Sequence, residues 1–370
     1  MNLTKTFVIT LLFAVASVTH IYALSRPDME FKIFQFPRDM MPRIDGNTDD
    51  WKIVPEDYTY GTDQIRDTED GHGEIDPKDL DIKVTVGWVK GLNRLYFLYE
   101  AYDDFWDMRF SPTGYSNDIF EIAVDGDLSG GPFIKNEQIE DPIENQITFS
   151  GVHAQNYHIF TPPINNDWCL LWGCQQWIKY FPYANYAYSY NFKHGESGRL
   201  VLEFWITPYD YAPFEGPENA VESNLTENNL IGLSWSILEF DGGKRDGHCN
   251  LAHNTKMVSD ASYLCAFRLM PMEKQFLKPI EARWSFKVVD MAQRKVAFID
   301  ESIGDITGWN WDFGDGTTSS EPNPIHIYAK PESVYRGAVE KPGLYTVVTL
   351  EVTGPAGSSK TSKFWDVQVR

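Results

Sequence analysis

The sequence predicts an all-β protein made of two unequal β-sandwiches, and three observations carry the prediction. Aromatic residues make up 15% of the 370-residue chain, with 21 prolines and 27 glycines and few long runs of Ala, Leu, Glu or Lys. That composition favours short strands and turns over helices. Apolar side chains then recur at every second position in successive short segments, the period of a half-buried strand. Finally, Phe298 and Asp300, followed by Trp309, Trp311 and Phe313, repeat that period close to the C-terminus, where Asp315-Gly316 supplies a hairpin reversal. At ~150 residues per domain the length suits two domains.

Taken in order, residues 1–23 carry Lys5, the apolar run Phe7 to Val18 and a small residue at Ala23. This is the pattern of a secretory signal peptide. The run is shorter than the ~20 apolar residues a membrane span needs, so no membrane insertion is expected. The chain is read as secreted or displayed at the cell surface. Its formal net charge of −21 repels phosphate backbones and anionic lipids, which excludes nucleic acid as a partner.

The stretch from Tyr60 to Asp79 is polar, acidic and glycine-containing, and reads as a long surface loop. Ile82, Val84, Val86 and Trp88 alternate with small or polar residues, Gly91 to Asn93 form a turn, and Leu95, Phe97, Tyr99 and Ala101 alternate again: a hairpin. Further strands are expected at Asp118 to Val124, Asn156 to Phe160, Ala184 to Phe192, Leu200 to Ile206, Ile231 to Phe240 and Ser262 to Met270. Four cysteines, Cys169 with Cys174 and Cys249 with Cys265, are even in number in a chain read as exported. Two disulfides are expected, most simply between neighbours, although three pairings are open. Spacings of five and sixteen do not suit zinc.

Two resemblances organise these segments. The pieces Phe298 to Ser302, Trp309 to Gly316 (WNWDFGDG), Asn323 to Tyr328, Gly343 to Val347 and Trp365 to Val369 follow the pattern of the PKD domain, which implies an immunoglobulin-like sandwich over residues 283–370. The stretch Ala329 to Lys341 is longer than that family's usual link. Earlier, Ile44-Asp45-Gly46 with Asp50-Trp51, the hairpin ending at Asp103-Asp104, the run NDIFEIAVDGDLSGG from Asn117 and the strand Leu200 to Pro208 come in an order that resembles the family 9 carbohydrate-binding module. That resemblance implies a sugar-binding sandwich over residues 40–272.

A site for neutral sugars needs flat apolar faces for the C–H side of the ring, with polar groups at the rim to meet hydroxyls. The window Trp168 to Phe192 holds more aromatic residues than any other. Trp168, Trp172 and Trp177 flank the short Cys169 to Cys174 loop and are the expected carbohydrate contacts; Trp106 is a second candidate. Tyr186, Tyr188 and Tyr190 read instead as one packed face of a strand. The acidic turn of Asp125 and Asp127 with its glycines offers carboxylate and carbonyl oxygens to a structural calcium ion, which the family 9 resemblance also implies. Asp312 and Asp315 are explained by turn chemistry.

There is no H-E-x-x-H, no G-x-S-x-G and no Walker loop, and His153, His158 and His253 lack partners at ligand spacing. The functional expectation is a non-catalytic polysaccharide-binding protein working in carbohydrate catabolism beside glycan-degrading enzymes, with the PKD-like part free to meet surface proteins. The alternatives are a structural or protein-binding surface module and, further off, a hydrolase of O-glycosyl bonds.

Overall fold

The computed structural model describes residues 24–69, 73–109, 116–164, 167–277, 279–329 and 346–365. The expected signal peptide at 1–23, the long link 330–341 and the last valine-rich residues lie outside these. The chain divides into two compact units, Met1–Pro271 and Met272–Arg370.

The first unit contains β1 (Phe31–Gln35), β2 (Thr59–Gly61), β3 (Arg66–Asp67), β4 (Leu80–Val89), β5 (Leu92–Asp103), β6 (Ile119–Asp125), α1 (Pro142–Thr148), β7 (Gln155–Ile164), β8 (Asp167–Leu171), β9 (Ala184–Tyr190), β10 (Gly198–Ile206), β11 (Tyr209–Tyr211), β12 (Val221–Glu222), β13 (Leu230–Asp241), β14 (Lys244–Asn250) and β15 (Cys265–Leu269). Most of the strands lie in two sheets, β8-β7-β6-β13-β15 and β4-β5-β10-β9, with β14 between β13 and β3, β2 beside β4, and β11 and β12 paired separately. β1 joins them: Phe31 to Ile33 pair in parallel with β15, and Phe34 and Gln35 pair in parallel with β4. The sandwich thus begins before residue 40, where the sequence reading placed its start.

Alternation decides which face each strand buries. Phe97, Tyr99, Phe120, Ile122, Phe204, Trp235 and Phe267 all face the space between the sheets and join one core. Rings from the two sheets stack across it: Tyr99 on Phe120 at 4.1 Å and Trp168 on Tyr186 at 5.2 Å. Such pairs add about 0.5–1.5 kcal/mol each beyond the area they bury. A smaller apolar group, Ile119, Phe160, Leu238 and Phe240, covers part of the opposite face of the β6–β7–β13 sheet. The segment around Trp168, expected to be a loop, is strand β8, and the stretch expected as one long loop before Asp79 contains β2 and β3.

The four cysteines are free thiols, which corrects the expected disulfides. Cys249 lies opposite Ile237 and Cys265 opposite Leu233, both on the same edge of β13. Four residues along a strand span about 13 Å, well beyond the roughly 7 Å that a disulfide tolerates between Cα atoms. Cys169 faces the core, whereas Cys174 lies after the end of β8 and is half-buried.

The second unit contains β16 (Trp284–Asp290), β17 (Lys295–Asp300), β18 (Gly308–Asp312), β19 (Thr318–Ser319), β20 (Ile325–Ile327), β21 (Thr346–Gly354) and β22 (Gly357–Trp365), arranged as sheets β16-β17-β20 and β19-β18-β21-β22. Trp284, Phe298, Trp311, Phe313, Val348 and Leu350 fill its core. The acidic turn behaves as turn chemistry requires: Asp312 accepts from the Gly314 amide, Asp315 accepts from the Thr317 amide, and Gly316 takes a φ of 89°.

Candidate ligand pocket

On the face of the first sheet turned away from the main core, a cavity of about 300 Å³ is lined by Glu69, Glu121, Ile134, His158, Trp172, Leu238, Arg245, His248, Thr255, Val258 and Ser259. Its floor follows from strand periodicity. In β6 the inward residues Phe120, Ile122 and Val124 alternate with Glu121; in β7 the inward Tyr157 and Ile159 alternate with Asn156 and His158; in β13 Trp235 and Ile237 alternate with Ser236. Paired registers bring these polar residues together: Glu121 lies opposite His158 on one side and Ser236 on the other.

Glu121 is 1% exposed, yet each of its oxygens is satisfied. Oε1 lies 2.6 Å from His158 Nε2 and accepts from Asn156 Nδ2 at 2.8 Å, while Oε2 accepts from Ser236 Oγ at 2.7 Å. His248 Nε2 stands 3.9 Å from the same Oε2. Burial pushes the Glu121 carboxyl up, but the His158 imidazole and these hydrogen bonds outweigh it and hold it at about 2. Toward solvent, Arg245 pairs with Glu69 at 2.9 Å, and Glu69 stands 3.5 Å from His248 Nδ1. His158 Nδ1 and Asn156 Oδ1 are buried without a hydrogen-bond partner.

Trp172 supplies the flat wall, its ring meeting His158 edge to face at 5.2 Å. The loop carrying it is fixed by the amide of Gln175, which donates to Gly151 O at 2.5 Å. At Gly173 any Cβ would lie 2.4 Å from Ser150 O, so only glycine allows this approach. Gln175 and Gly173 thus hold this loop in place without a Cys169–Cys174 bridge.

Of the expected sugar contacts, the structure brings only Trp172 to the pocket. Trp168 is 1% exposed, donates its indole N–H to Lys179 O at 2.9 Å and stacks on Tyr186 in the core. Trp106 is equally buried, stacked on Phe192 at 4.6 Å and bonded to Gly198 O. Trp177 is half-buried, donates to Pro213 O at 2.8 Å and packs on Tyr183 and Tyr209. These three serve packing.

The pocket's acid, histidines and arginine were missed because they are far apart in sequence, and His158, read as a lone histidine, is the partner of Glu121. A signal existed: Glu121 is the one charged residue inside the apolar run Ile119 to Val124.

Asp125 spends its oxygens on its own turn, accepting from Gly130 N at 2.8 Å and from Ser129 N at 3.3 Å; Asp127 also accepts from Ser129 N. Among the described residues these two join no group of three side chains placed to hold a metal.

Residues 280–369 match the family model of the PKD domain, so the second unit is a PKD domain, as its motifs implied. No curated protein matches the chain by sequence. Among solved structures, a family 9 carbohydrate-binding module from Caldicellulosiruptor kristjanssonii in complex with cellotriose is similar at 14% identity, over 68% of this chain and 98% of that one, with a TM-score of 0.43. A complex of a family 9 module from the same organism with glucose gives 14% identity, 68% and 100% coverage and a TM-score of 0.42. The PKD1 domain of the Vibrio cholerae metalloprotease PrtV is 28% identical over 25% of this chain and 99% of that domain, with a TM-score of 0.20. No helix among the described residues is long and apolar enough to cross a membrane.

Proposed function

We propose that the chain is a secreted or surface-displayed glycan-binding protein that takes a sugar ring into the Trp172 pocket and performs no chemistry on it. The observation that carries this reading is the pairing of one indole wall with a closely packed rim of Glu69, Glu121, His158, Arg245 and His248 in a cavity of about 300 Å³. A ring lying on the Trp172 face would bury its C–H side, and its hydroxyls would meet charged groups that make strong hydrogen bonds. The volume suits a sugar unit or chain end, not a long polymer groove.

Glycoside hydrolysis needs a carboxyl kept protonated near neutrality. The ionised state of Glu121 denies it that role, which favours binding over turnover. Adsorption to polysaccharide beside degrading enzymes, with the PKD domain as spacer or contact for surface proteins, is the setting that suits such a module.

Calorimetric titration with a panel of mono- and oligosaccharides tests the reading. Binding should be detectable for at least one, and Trp172→Ala should weaken it at least tenfold while Trp177→Ala leaves it within about twofold. A wild type that binds no glycan in the panel, or that releases reducing sugar from one, would sink it.

A further inference from the structure

The proton positions around Glu121 follow from its hydrogen bonds, because an ionised carboxylate only accepts. His158 Nε2, 2.6 Å from Glu121 Oε1, must carry a proton, and in the neutral imidazole that leaves the ring's lone pair on Nδ1. Ser236 gives its hydroxyl proton to Oε2 at 2.7 Å, so the Ser236 oxygen is left to accept from His248 Nε2 at 3.3 Å. His248 therefore takes the same tautomer. One buried acid leaves two imidazole Nδ1 atoms bare.

Both histidines line the Trp172 cavity, they are 4% and 5% exposed, and neither Nδ1 has a hydrogen-bond partner. A buried acceptor without a donor is costly until one reaches it. His248 Nδ1 also stands 3.5 Å from a second acceptor, Glu69 Oε2. Two acceptors that close repel unless a donor sits between them, and one ammonium nitrogen about 2.8 Å from each would bridge the pair. The charges lining the cavity are two carboxylates, Glu69 and Glu121, against one guanidinium, Arg245. A positive group is favoured there and a negative one opposed.

Resting on the reading of this cavity as a sugar pocket, we propose that its preferred ligand is a sugar bearing a free amine, held as ammonium between His248 Nδ1 and Glu69 while a ring hydroxyl donates to His158 Nδ1. Each alternative leaves a group unmatched. A uronic acid brings a carboxylate that has no proton to give either imidazole and meets Glu69 with like charge. An N-acetyl group keeps one N–H but loses the charge and sets a carbonyl oxygen among acceptors. A hydroxyl in the same place has one proton to share between two acceptors, whereas an ammonium has three.

Calorimetric titration of the full chain at about pH 7 with three β-1,4 trimers that differ only at C2, the glucosamine trimer, cellotriose and the N-acetylglucosamine trimer, tests the assignment. The glucosamine trimer should bind about tenfold more tightly than the other two, and glucuronic acid more weakly than glucose. Glu69 lies at the mouth with about a third of its side chain exposed, so Glu69→Gln spares the buried network around Glu121. It should cost the glucosamine trimer roughly fivefold more affinity than it costs cellotriose. Glu281→Gln, in the PKD domain and also exposed, should keep the full preference, which separates a local contact from general attraction to an acidic chain. Cellotriose bound through Trp172 with no gain from the amine overturns the assignment and leaves the sugar pocket standing. A preference that survives Glu69→Gln, or that Glu281→Gln also removes, overturns it as well. Failure of every saccharide to bind, the glucosamine trimer included, brings down the pocket reading and the assignment with it.

Discussion

Glu121 and Glu239 are both sealed inside the first sandwich, and their surroundings push them in opposite directions. Glu121 touches an imidazole, an amide and a hydroxyl, and its carboxyl is held at about 2. Glu239, three residues beyond Ser236 on the same β13, faces Asp103 and Asp241 and is raised well above the ordinary carboxylate range, by burial first and then by those charges. Depth in the fold is common to both, so it is the sign of the neighbours that decides the ionisation. The two faces of the sheet therefore carry different acids: Glu121 on the outer face is ionised and already bonded, whereas Glu239 on the inner face stands among other carboxylates.

The largest effect expected from breaking this contrast is at Glu121. Replacing it by Ala strands His158, Asn156 and Ser236 in a buried site and should cost about 3–5 kcal/mol in denaturant unfolding; a loss under about 1 kcal/mol would mean the network is not a structural unit. A smaller effect separates the two acids by pH. Asp103 and Asp241 hold their protons more tightly folded than unfolded, so their contribution is fully present below about pH 3.8 and is lost as pH rises through about 6 and then about 7. The melting midpoint should therefore fall as pH rises from about 4 to about 7, and Asp103→Asn should flatten that slope. Glu121 works the other way: its contribution is present above its unfolded value of 4.5 and is lost as pH falls through about 2. The smallest effect on stability is expected at the pocket mouth. Arg245→Ala breaks a pair whose members are 36% and 33% exposed and should shift stability by no more than about 1 kcal/mol, while glycan affinity drops measurably.

Strands with clean alternation, such as β4, β5, β10 and β13, were legible in the sequence, and so were the PKD motifs, because each rests on local period and turn chemistry. β8 was not: five residues containing Trp168 and Cys169 show too little alternation to be told from an aromatic loop. β1 was hidden by its length, and β14, reading KRDGHCN, by its lack of apolar alternation. Aromatic density pointed to the right window and found Trp172, but it carries no information about facing. Trp168 and Trp106 went into the core, while Phe181, at 78% exposed, turned outward. The pocket's rim draws residues from Glu69 to Ser259, and only the pairing of β6 with β7 and β13 brings Glu121, His158 and Ser236 side by side. Opposed carboxylates at Asp103 and Glu239 were likewise invisible until the two sheets faced each other.

The five residues of β1 bear on how this module is made. Phe31 pairs with Phe267 and Phe34 with Gly87, so part of the pairing of β1 waits for β15, near the end of the first unit. During synthesis that strand stays unzipped until the chain has grown past Leu269, and slow closure of such distant pairings leaves a window for association with other chains. Deleting residues of β1 would therefore do more harm than its length suggests, because one short segment seals both seams.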